Sequence, residues 1–353
     1  MGNSVGSKAA PPIHDMVASL QSQLCASRRQ DCSTVLPRST MVDGRYVLSQ
    51  KHFPEISEYS SLSDLIRWKT EAEPHPSYSD EFLDKELPVI SPSKQKLTEG
   101  AAAGTIQATW LGHASVLVQF NGWNVIVDPI FSERCSPSQW FGPSRLRPSP
   151  VKDNLNVLPH LDMCCISHNH YDHLDLNSIT ALSSAFPDMV YCVPLGMKEW
   201  LIDSGVQNPI LEMDWSESAT INDTSSESRC SVTVHCIPCQ HWCARGRLDR
   251  NKCLWCAWCV STAHGSFFFG GDTGYCPLIF KQVPKFMGGS RISLAALPIG
   301  AYGSDGEKWF HKYCHMNPNE AVLTHKDITA KVYSPFTYYT TYFTNRVVHD
   351  RHR

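Results

Sequence analysis

The sequence predicts an α/β protein in which helices cover β-sheets. Two apolar runs, at residues 109–120 and 123–127, are joined by Asn121-Gly122, a dipeptide typical of tight β-hairpins. Beyond this hairpin, short strand patterns alternate with helical patterns along the chain. Several of the apolar runs end in a histidine or an aspartate. These observations favour a layered α/β sandwich with polar side chains at its strand ends.

The remaining elements follow the hairpin in chain order. A short apolar run at residues 163–167 predicts a strand, and residues 176–185 have a helical pattern. The same criteria predict strands at residues 190–193, 231–237, 254–260, 266–270 and 292–297, and helices at residues 198–204 and 318–324. Residues 223–228 are predicted to be a polar loop.

The region before the hairpin has little apolar content and is rich in serine, proline and charge. We therefore expect a flexible leader at residues 1–44 and an arm at residues 45–104 that wraps the main body. The arm is predicted to hold a short helix at residues 63–69 and an apolar anchor at Leu87-Pro88-Val89. The globular pattern begins at Ile106.

Composition excludes several classes of protein. A chain of 353 residues has room for one large core or two small ones. Its formal net charge of -3 argues against a general electrostatic attraction to nucleic acid. It has no run of about 18 apolar residues, so no transmembrane helix is predicted. The first residues lack the basic-then-apolar pattern of a signal peptide.

The 15 cysteines are read as thiols and not as a disulfide framework, because no signal peptide is predicted. Cys236-x-x-Cys239 and Cys253-x-x-Cys256-x-x-Cys259 have spacings that would suit zinc or an iron–sulfur cluster. Both runs fall in predicted strands, where residues i and i+3 face opposite sides. Small buried side chains are therefore the favoured interpretation of these cysteines.

The motif with the most chemistry is I-S-H-N-H-Y-D-H-L-D at residues 166–175. His168 and His170 are two residues apart in extended chain, so both side chains point the same way and suit one ion. Asp172 and His173 lie just past the strand end and can reach a second ion. Imidazole is a good zinc ligand, and carboxylates suit a second metal or a metal-bound water. A surface patch of histidines would not require the ordered H-x-H-x-D-H spacing.

Three further strand ends carry polar residues of the same kind. His241 follows one apolar run, and Asp272 follows F-F-F-G-G, whose glycines allow a close approach of the backbone. Asp128 ends the run V-I-V. Carboxylates at strand ends also occur as ordinary turn residues, and for Asp128 alone that reading would prevail. Because such strand ends recur in one chain, we expect them to meet at a common site.

The order H-x-H-x-D-H, then a lone histidine, then G-D-T-G resembles the metallo-β-lactamase superfamily. Within it, the segments W-L-G-H-A-S, D-P-I-F, S-P-S-Q, Q-H-W, G-D-T-G-Y and P-I-G-A-Y resemble the N-acylphosphatidylethanolamine-hydrolysing phospholipase D family. The resemblance extends over about residues 45–331. It implies an αβ/βα sandwich with a flexible N-terminal extension, whose hydrolase domain occupies residues 105–331.

The resemblance further implies a centre of two zinc ions. It assigns three ligands to the first ion: His168, His170 and His241. It assigns Asp172 and His173 to the second ion, and it makes Asp272 a bridge between the two.

Three other roles come from the same resemblance. Asp128 is expected to orient the ligands from behind. Tyr171 and His315 match positions that contact the lipid substrate, although a solvent-facing loop histidine is an equally open reading of His315. The carboxylates expected to take part in catalysis are Asp172, Asp272 and Asp128.

The implied activity is hydrolysis of N-acylphosphatidylethanolamine to N-acylethanolamine and phosphatidic acid. In this reaction a hydroxide shared by the two zinc ions attacks phosphorus in line. H-x-H-x-D-H alone does not exclude another hydrolase of the superfamily, acting for example on a soluble phosphodiester, thioester or lactone. The family resemblance also suggests a homodimer at the cytoplasmic face of intracellular membranes, bound peripherally to the phospholipid surface.

One part of the family pattern is missing from this chain. The family carries a further zinc ligand in a C-terminal segment H-W-G-T-F, whereas the resemblance here stops near Lys331 and residues 332–353 form a divergent tail. This altered or truncated end predicts a weakened second zinc site, unless His349, His352 or water fills the gap. A catalytically impaired isoform that binds lipid or pairs with an intact subunit is therefore an alternative to the active enzyme.

Overall fold

The computed structural model describes residues 13–27, 35–54, 70, 78–222, 230–246, 248–302, 311 and 313–336. The helix predicted at residues 63–69, the loop at 223–228 and the tail histidines lie outside these residues. In chain order the elements are α1 Ile13–Ser27, β1 Thr40–Val42, β2 Arg45–Val47, α2 Asp80–Glu86, α3 Lys94–Glu99, β3 Ile106–Gly112, β4 Ser115–Phe120, β5 Trp123–Val127, β6 Met163–Cys165, α4 Leu176–Ala185, β7 Val190–Pro194, α5 Lys198–Asp203, β8 Ile210–Met213, β9 Ser218–Ile221, β10 Val232–Ile237, β11 Ala257–Thr262, β12 Gly265–Phe269, α6 Pro277–Phe280, α7 Val283–Phe286, β13 Leu294–Pro298, α8 Pro318–Asp327 and β14 Val332–Phe336.

Two six-stranded sheets form the centre of the molecule. The first has the order β3-β4-β5-β6-β7-β8, and the second has the order β14-β13-β12-β11-β10-β9. In the first sheet, β3 to β5 pair antiparallel and β5 to β8 pair parallel. In the second, β9 to β12 pair antiparallel and β12 to β14 pair parallel.

The core lies in layers that follow the alternation of side chains along each strand. Val116 and Val118 of β4 belong to the apolar cluster that also contains Val234 and Trp258 of the second sheet. The residue between them, Leu117, faces the other way, into a cluster that holds buried side chains of α4 and α5. Buried residues of α6, α7 and α8 join the first cluster. This helix–sheet–sheet–helix order confirms the predicted α/β sandwich.

The predicted hairpin at Asn121-Gly122 is confirmed. Both residues have positive φ, 49° and 82°, as the two central residues of a type I′ turn require. Phe120 pairs with Trp123 across the turn.

The single strand predicted at residues 109–120 is wrong. The chain turns at residues 113–114, so that β3 and β4 become antiparallel neighbours with Gly112 opposite Ser115. Gly112 and His113 have φ values of 102° and 49°, which close the turn. The turn takes only two residues, and β4 directly after it is buried along its whole length, so no polar loop in the sequence marks the reversal.

Part of the segment predicted to be a flexible leader is a packed helix. The apolar side chains of α1 recur at helical spacing, and Val17 and Leu24 are buried against the core. Gln21 exchanges two hydrogen bonds with the backbone of Glu212, donating to its carbonyl oxygen at 3.0 Å and accepting from its N–H at 2.7 Å. This helix therefore satisfies backbone groups of β8, the last strand of the first sheet.

The predicted anchor Leu87-Pro88-Val89 is not buried; Val89 is exposed. The arm is held instead by Leu83 and Leu97, which are both buried, and the carbonyl oxygen of Leu97 accepts a hydrogen bond from Gln119 at 2.7 Å. Among the described residues, no helix combines the length and apolar character needed to cross a bilayer.

Candidate metal centre

The H-x-H-x-D-H motif occupies the loop between β6 and α4, at the carboxyl end of the parallel strands. Loops at this edge of a sheet meet one another, and ligand sites form there. The second sheet fixes the start of the motif, because Trp258 Nε1 donates to the Ile166 carbonyl oxygen at 2.9 Å. Cys256 N–H donates to the Ser167 carbonyl oxygen at 3.0 Å. The motif is therefore held by both sheets.

Three imidazole rings meet at the first cluster, which comprises the buried His168 and His241 and the half-buried His170. His170 Nδ1 lies 2.8 Å from His168 Nε2 and 3.3 Å from His241 Nε2. A hydrogen bond satisfies one pair of ring nitrogens at most, so three nitrogens at this spacing need another shared partner. Two nitrogens bound tetrahedrally to zinc lie about 3.3 Å apart. The donor set therefore fits a zinc-sized cation.

The outer nitrogens of two of these rings have fixed partners. His168 Nδ1 lies 2.9 Å from the Ser167 hydroxyl oxygen, and His241 Nδ1 lies 3.1 Å from the Cys314 carbonyl oxygen. A carbonyl oxygen can only accept, so the proton of His241 resides on Nδ1 and the lone pair of Nε2 faces the cluster. Burial lowers the pKa of His168 and His241 well below the usual value, and that of His170 to about 4. The rings are thus neutral, the form that binds metals.

A second donor cluster adjoins the first and contains two carboxylates. The His168 and His173 rings lie 4.2 Å apart between centroids. His173 Nε2 lies 3.2 Å from Asp272 Oδ2 and 3.8 Å from Asp172 Oδ2. Asp172 Oδ2 in turn lies 3.3 Å from His113 Nε2. Mixed imidazole and carboxylate donors at these distances also suit a divalent cation.

Asp128 lies buried behind both clusters and connects them. Its Oδ1 accepts from Ser167 N–H at 2.7 Å, and its Oδ2 accepts from the Ser167 hydroxyl at 2.5 Å and from His173 Nδ1 at 2.6 Å. Ser167 also contacts His168, so one carboxylate orients one ring of each cluster. Asp128 has a φ of 38°, unusual for a residue other than glycine, and this places its carboxylate under the motif.

The charges in the second cluster shift one another's pKa. Burial lowers the pKa of His173, but Asp272, Asp172 and Asp128 raise it more, so the net shift is upward. Burial raises the pKa of Asp272, but His173 lowers it by more, so the net shift is downward. Burial raises the pKa of Asp172 as well, but His173 and His113 lower it by more. The two carboxylates beside His173 Nε2 therefore remain ionised and provide the negative charge that a divalent cation requires.

Gly271 allows the Asp272 loop to approach the motif. Its φ is 57°, and a Cβ atom built on it would lie 2.7 Å from Ser167 Cβ. Any other residue would push against the serine that orients His168. On the other side of the loop, Gly274 N–H donates to the Gln240 carbonyl oxygen at 2.9 Å. That bond couples the Asp272 loop to the His241 loop.

The two residues expected to contact substrate lie in different surroundings. His315 Nδ1 lies 3.7 Å from Asp272 Oδ2, and its ring centroid lies 5.3 Å from that of His241. Tyr171 is partly exposed and lies under the guanidinium of Arg245, whose Cζ is 4.0 Å from the ring centroid. His315 is thus inside the cluster of donors, whereas Tyr171 lies at its side.

Sequence reasoning gave no role to three residues that the structure places at the site. His113 contacts Asp172, Ser167 connects Asp128 to His168, and the Trp242 ring lies 4.3 Å from that of His170. His113 follows Gly112 in the unrecognised turn, and Ser167 and Trp242 directly precede or follow a predicted ligand. Adjacency to ligands would have indicated the last two.

The crowded cysteines are mostly core residues. Cys236, Cys239, Cys256 and Cys259 are buried in the apolar cluster between and behind the sheets. In the part of the chain that the structure describes, the groups of side chains close enough to share an ion consist of histidine and aspartate.

We expect Cys256→Ser to leave the metal-to-protein ratio unchanged, because this side chain packs in the core. The buried hydroxyl should lower the free energy of unfolding by about 1–3 kcal/mol. Elemental analysis after gel filtration, with urea unfolding of the same sample, measures both quantities. A loss of zinc or iron on this substitution would support the cysteine cluster instead.

Comparison with known proteins gives concordant matches. A family model described as a beta-lactamase superfamily domain matches residues 123–336. The Caenorhabditis elegans N-acyl-phosphatidylethanolamine-hydrolyzing phospholipase D 1 is 37% identical over 276 residues, which are 77% of this chain and 73% of that protein. The mitochondrial Saccharomyces cerevisiae N-acyl-phosphatidylethanolamine-hydrolyzing phospholipase D is 34% identical over 225 residues, which are 63% of this chain and 45% of that protein.

A solved structure agrees with the fold. The structure of a possible metal-dependent hydrolase from Veillonella parvula superposes with a TM-score of 0.50 at 16% sequence identity. The superposition covers 69% of this chain and 88% of that one. At this identity the similarity concerns the arrangement of the sheets and helices only.

Proposed function

Because the chain belongs to the metallo-β-lactamase superfamily, and within it to the N-acylphosphatidylethanolamine-hydrolysing phospholipase D family, we propose that it is a zinc-dependent phosphodiesterase. The proposed reaction converts N-acylphosphatidylethanolamine to N-acylethanolamine and phosphatidic acid. The observation that carries the proposal is the pair of adjoining donor clusters, one of three imidazoles and one rich in carboxylate.

The two clusters divide the proposed ligands between two zinc ions. His168, His170 and His241 would hold the first ion. The Nδ1 atom of His170 faces this cluster, and its buried Nε2 has no hydrogen-bond partner among the described residues, so a bond from Nδ1 to the ion would hold the ring in place. Asp172 and His173 would hold the second ion, with Asp272 shared. When bound, two such ions activate water and offset charge on a phosphodiester.

The side chains of this protein account for positioning in the proposed reaction. A water oxygen forms a bond to phosphorus, the bond from phosphorus to the ethanolamide oxygen breaks, and a proton goes to that leaving oxygen. The Asp172 side chain is 36% exposed, so its carboxylate faces the open side of the site and is placed to orient the attacking water. His315, beside Asp272, is proposed to contact the lipid phosphate, and Tyr171 the adjoining part of the lipid.

The experiment that tests the proposal uses the purified full chain, zinc and N-acylphosphatidylethanolamine in mixed micelles in ¹⁸O-labelled water. We expect phosphatidic acid carrying one ¹⁸O, since the phosphorus–oxygen bond is the one that breaks, and unlabelled N-acylethanolamine. Mass spectrometry identifies both products. Diacylglycerol as product would contradict the phospholipase D type of cleavage.

Two other outcomes would favour the alternatives. A chain that binds its metal but releases no phosphatidic acid would be a catalytically impaired isoform. A chain that hydrolyses a soluble phosphodiester, thioester or lactone in preference to the lipid would be another hydrolase of the superfamily. The same sample, measured for zinc by elemental analysis, separates loss of metal from loss of chemistry.

An exposed aromatic loop next to the site supports a lipid substrate. Trp140 and Phe141 are 85% and 78% exposed, although adjacent aromatic residues seldom remain in water without a function. The base of the loop is attached to the metal motif, because Ser132 N–H and hydroxyl donate to Asp175 at 3.1 and 2.9 Å. We propose that the two rings enter a phospholipid surface and bring the site to its substrate.

The two arginines near this loop have structural partners. Arg145 is buried and donates to the Ile130 carbonyl oxygen at 2.9 Å, and Arg147 pairs with Asp84 at 2.5 Å. We therefore assign the proposed membrane contact to Trp140 and Phe141 and not to these arginines.

Family membership supports the further proposal of a homodimer bound peripherally to the cytoplasmic face of an intracellular membrane.

We expect the double substitution Trp140→Ser and Phe141→Ser to weaken binding to phosphatidylcholine vesicles roughly 10- to 100-fold, because partial burial of the two rings together stabilises the bound state by about 1.4–2.8 kcal/mol, less than their full burial would. Vesicle sedimentation measures this. Ile202→Ser, which removes an exposed side chain from α5, is the matched control and should bind as the unmodified chain does. Equal binding by the double variant would refute the role of the loop.

A further inference from the structure

His113 is held in a fixed position beside the second donor cluster. It lies in the turn between β3 and β4 with a φ of 49°, and its ring reaches Asp172 in the motif loop. Its carbonyl oxygen accepts a hydrogen bond from Trp110 Nε1 at 2.8 Å. The preceding residue, Gly112, packs against buried Arg145: a Cβ atom there would lie 2.7 Å from Arg145 Nη2. The turn therefore has little freedom to shift.

The ring nitrogen of His113 lies at ligand spacing from the other donors. Its Nε2 is 3.3 Å from Asp172 Oδ2, close to the separation of about 3.3 Å expected for two donors on one tetrahedral zinc. His113, Asp172 and His173 form one group whose donor atoms all lie within 4.8 Å of one another. The side chain of His113 is only 7% exposed, so its nitrogen faces the cluster and not bulk water.

We propose that His113 is a direct ligand of the second metal ion. With His113 the second site has two imidazoles, from His113 and His173, and two carboxylates, from Asp172 and Asp272. The donor atoms of His113, Asp172 and His173 form the close group, and Asp272 Oδ2 adjoins it at 3.2 Å from His173 Nε2. Four donors of these types are the number that tetrahedral zinc takes. The inference rests on the two-ion centre of the proposed function and adds a ligand to it from the first hairpin turn.

The competing role for His113 is a hydrogen bond that only orients Asp172. Two substitutions separate the roles. His113→Asn suits the left-handed turn, since asparagine tolerates positive φ, but it removes the ring Nε2. His113→Gln places an amide N–H near the former Nε2, so it can still donate to Asp172 but is a poor zinc ligand. His264→Asn, at an exposed histidine in the β11–β12 turn, is the matched control.

The full chain is loaded with zinc, and affinities are measured by competition with a chromophoric chelator. We expect two ions on the unmodified chain and on His264→Asn. Both His113 variants should keep the first ion and lose at least about 100-fold in affinity for the second, beyond the 10- to 100-fold that loss of an orienting bond typically causes. The proposal is wrong if His113→Gln binds the second ion as tightly as the unmodified chain does. It is also wrong if the unmodified chain binds only one ion.

A direct readout uses ¹¹³Cd in place of zinc with ¹⁵N-labelled histidine. Scalar coupling between cadmium and His113 Nε2, assigned through its loss in His113→Asn, would support the bond, and its absence would overturn it. Neither measurement requires turnover. A chain that shows the coupling but releases no phosphatidic acid would support the His113 ligand and contradict the proposed function. A chain that releases phosphatidic acid without the coupling would contradict the His113 ligand and support the proposed function.

Discussion

Replacing Asp272 by asparagine is expected to remove almost all of the proposed phosphodiesterase activity. The Asp272 Oδ2 atom lies 3.2 Å from His173 Nε2 and 3.7 Å from His315 Nδ1, so the carboxylate stands where the proposed shared ligand is needed. The asparagine amide has the same size but no charge, and it can present one oxygen only. Two-ion sites contribute several kcal/mol to the transition state, which corresponds to a fall of roughly 10³-fold in kcat/KM.

The same Asp272→Asn protein should carry less metal after gel filtration, with its far-ultraviolet circular dichroism unchanged. Asp203→Asn, at an exposed carboxylate at the end of α5, is the control and should retain both metal and activity. Full zinc content together with undiminished turnover in Asp272→Asn would mean that this carboxylate is not a ligand.

Asp128→Asn is expected to have a comparable effect without touching the proposed ions. In the native site Asp128 Oδ1 accepts from Ser167 N–H, while Oδ2 accepts from His173 Nδ1. Asparagine has one oxygen, so if that oxygen keeps Ser167, its NH₂ group faces His173 Nδ1. The histidine then has to accept there and to carry its proton on Nε2, which faces Asp272. A protonated Nε2 cannot bind a metal.

For Asp128→Asn we expect a loss of metal affinity of about 10- to 100-fold at the second site. The fall in kcat should be on the order of 10³- to 10⁴-fold, as when a buried aspartate that fixes a catalytic histidine is replaced by asparagine. Asp162→Asn is the matched control. Asp162 accepts a hydrogen bond from Asn124 N–H at 2.7 Å, and it lies at the start of β6, the end of this strand that is farther from the metal motif. If both variants lose activity equally, general destabilisation and not the tautomer of His173 is the cause.

The sequence predicts the parts of this site that local spacing determines. His168 and His170 are visible because side chains two residues apart in extended chain point the same way. Asp128 and Asp272 are visible because each closely follows an apolar strand, β5 or β12. The helix bounds of α4, predicted at residues 176–185, agree with the structure for a similar reason: ten residues of regular pattern follow the motif directly.

The features that were not predicted depend on contacts between distant segments. The turn at His113 is concealed in an apolar run, and its importance appears only when it meets Asp172, 59 residues later in the chain. Ser167 has no predicted role in the sequence, and its role appears only from the two hydrogen bonds that it donates to Asp128. Nothing in the sequence around Arg145 indicates that its side chain is buried and donates to the Ile130 carbonyl oxygen. Tertiary packing decided each of these cases.

The arrangement of the two sheets has a consequence for the order in which the protein folds. Each sheet comes from one continuous stretch, residues 106–213 and residues 218–336, and every hydrogen-bonded pair of strands in it is consecutive in the chain. Pairing between consecutive strands keeps the ladder hydrogen bonds of each sheet within its own stretch, which favours formation of each sheet before the two dock. The proposed ligands come from both stretches, so the ions bind tightly only after the sheets have docked. Metal is therefore expected to slow unfolding more than it accelerates folding.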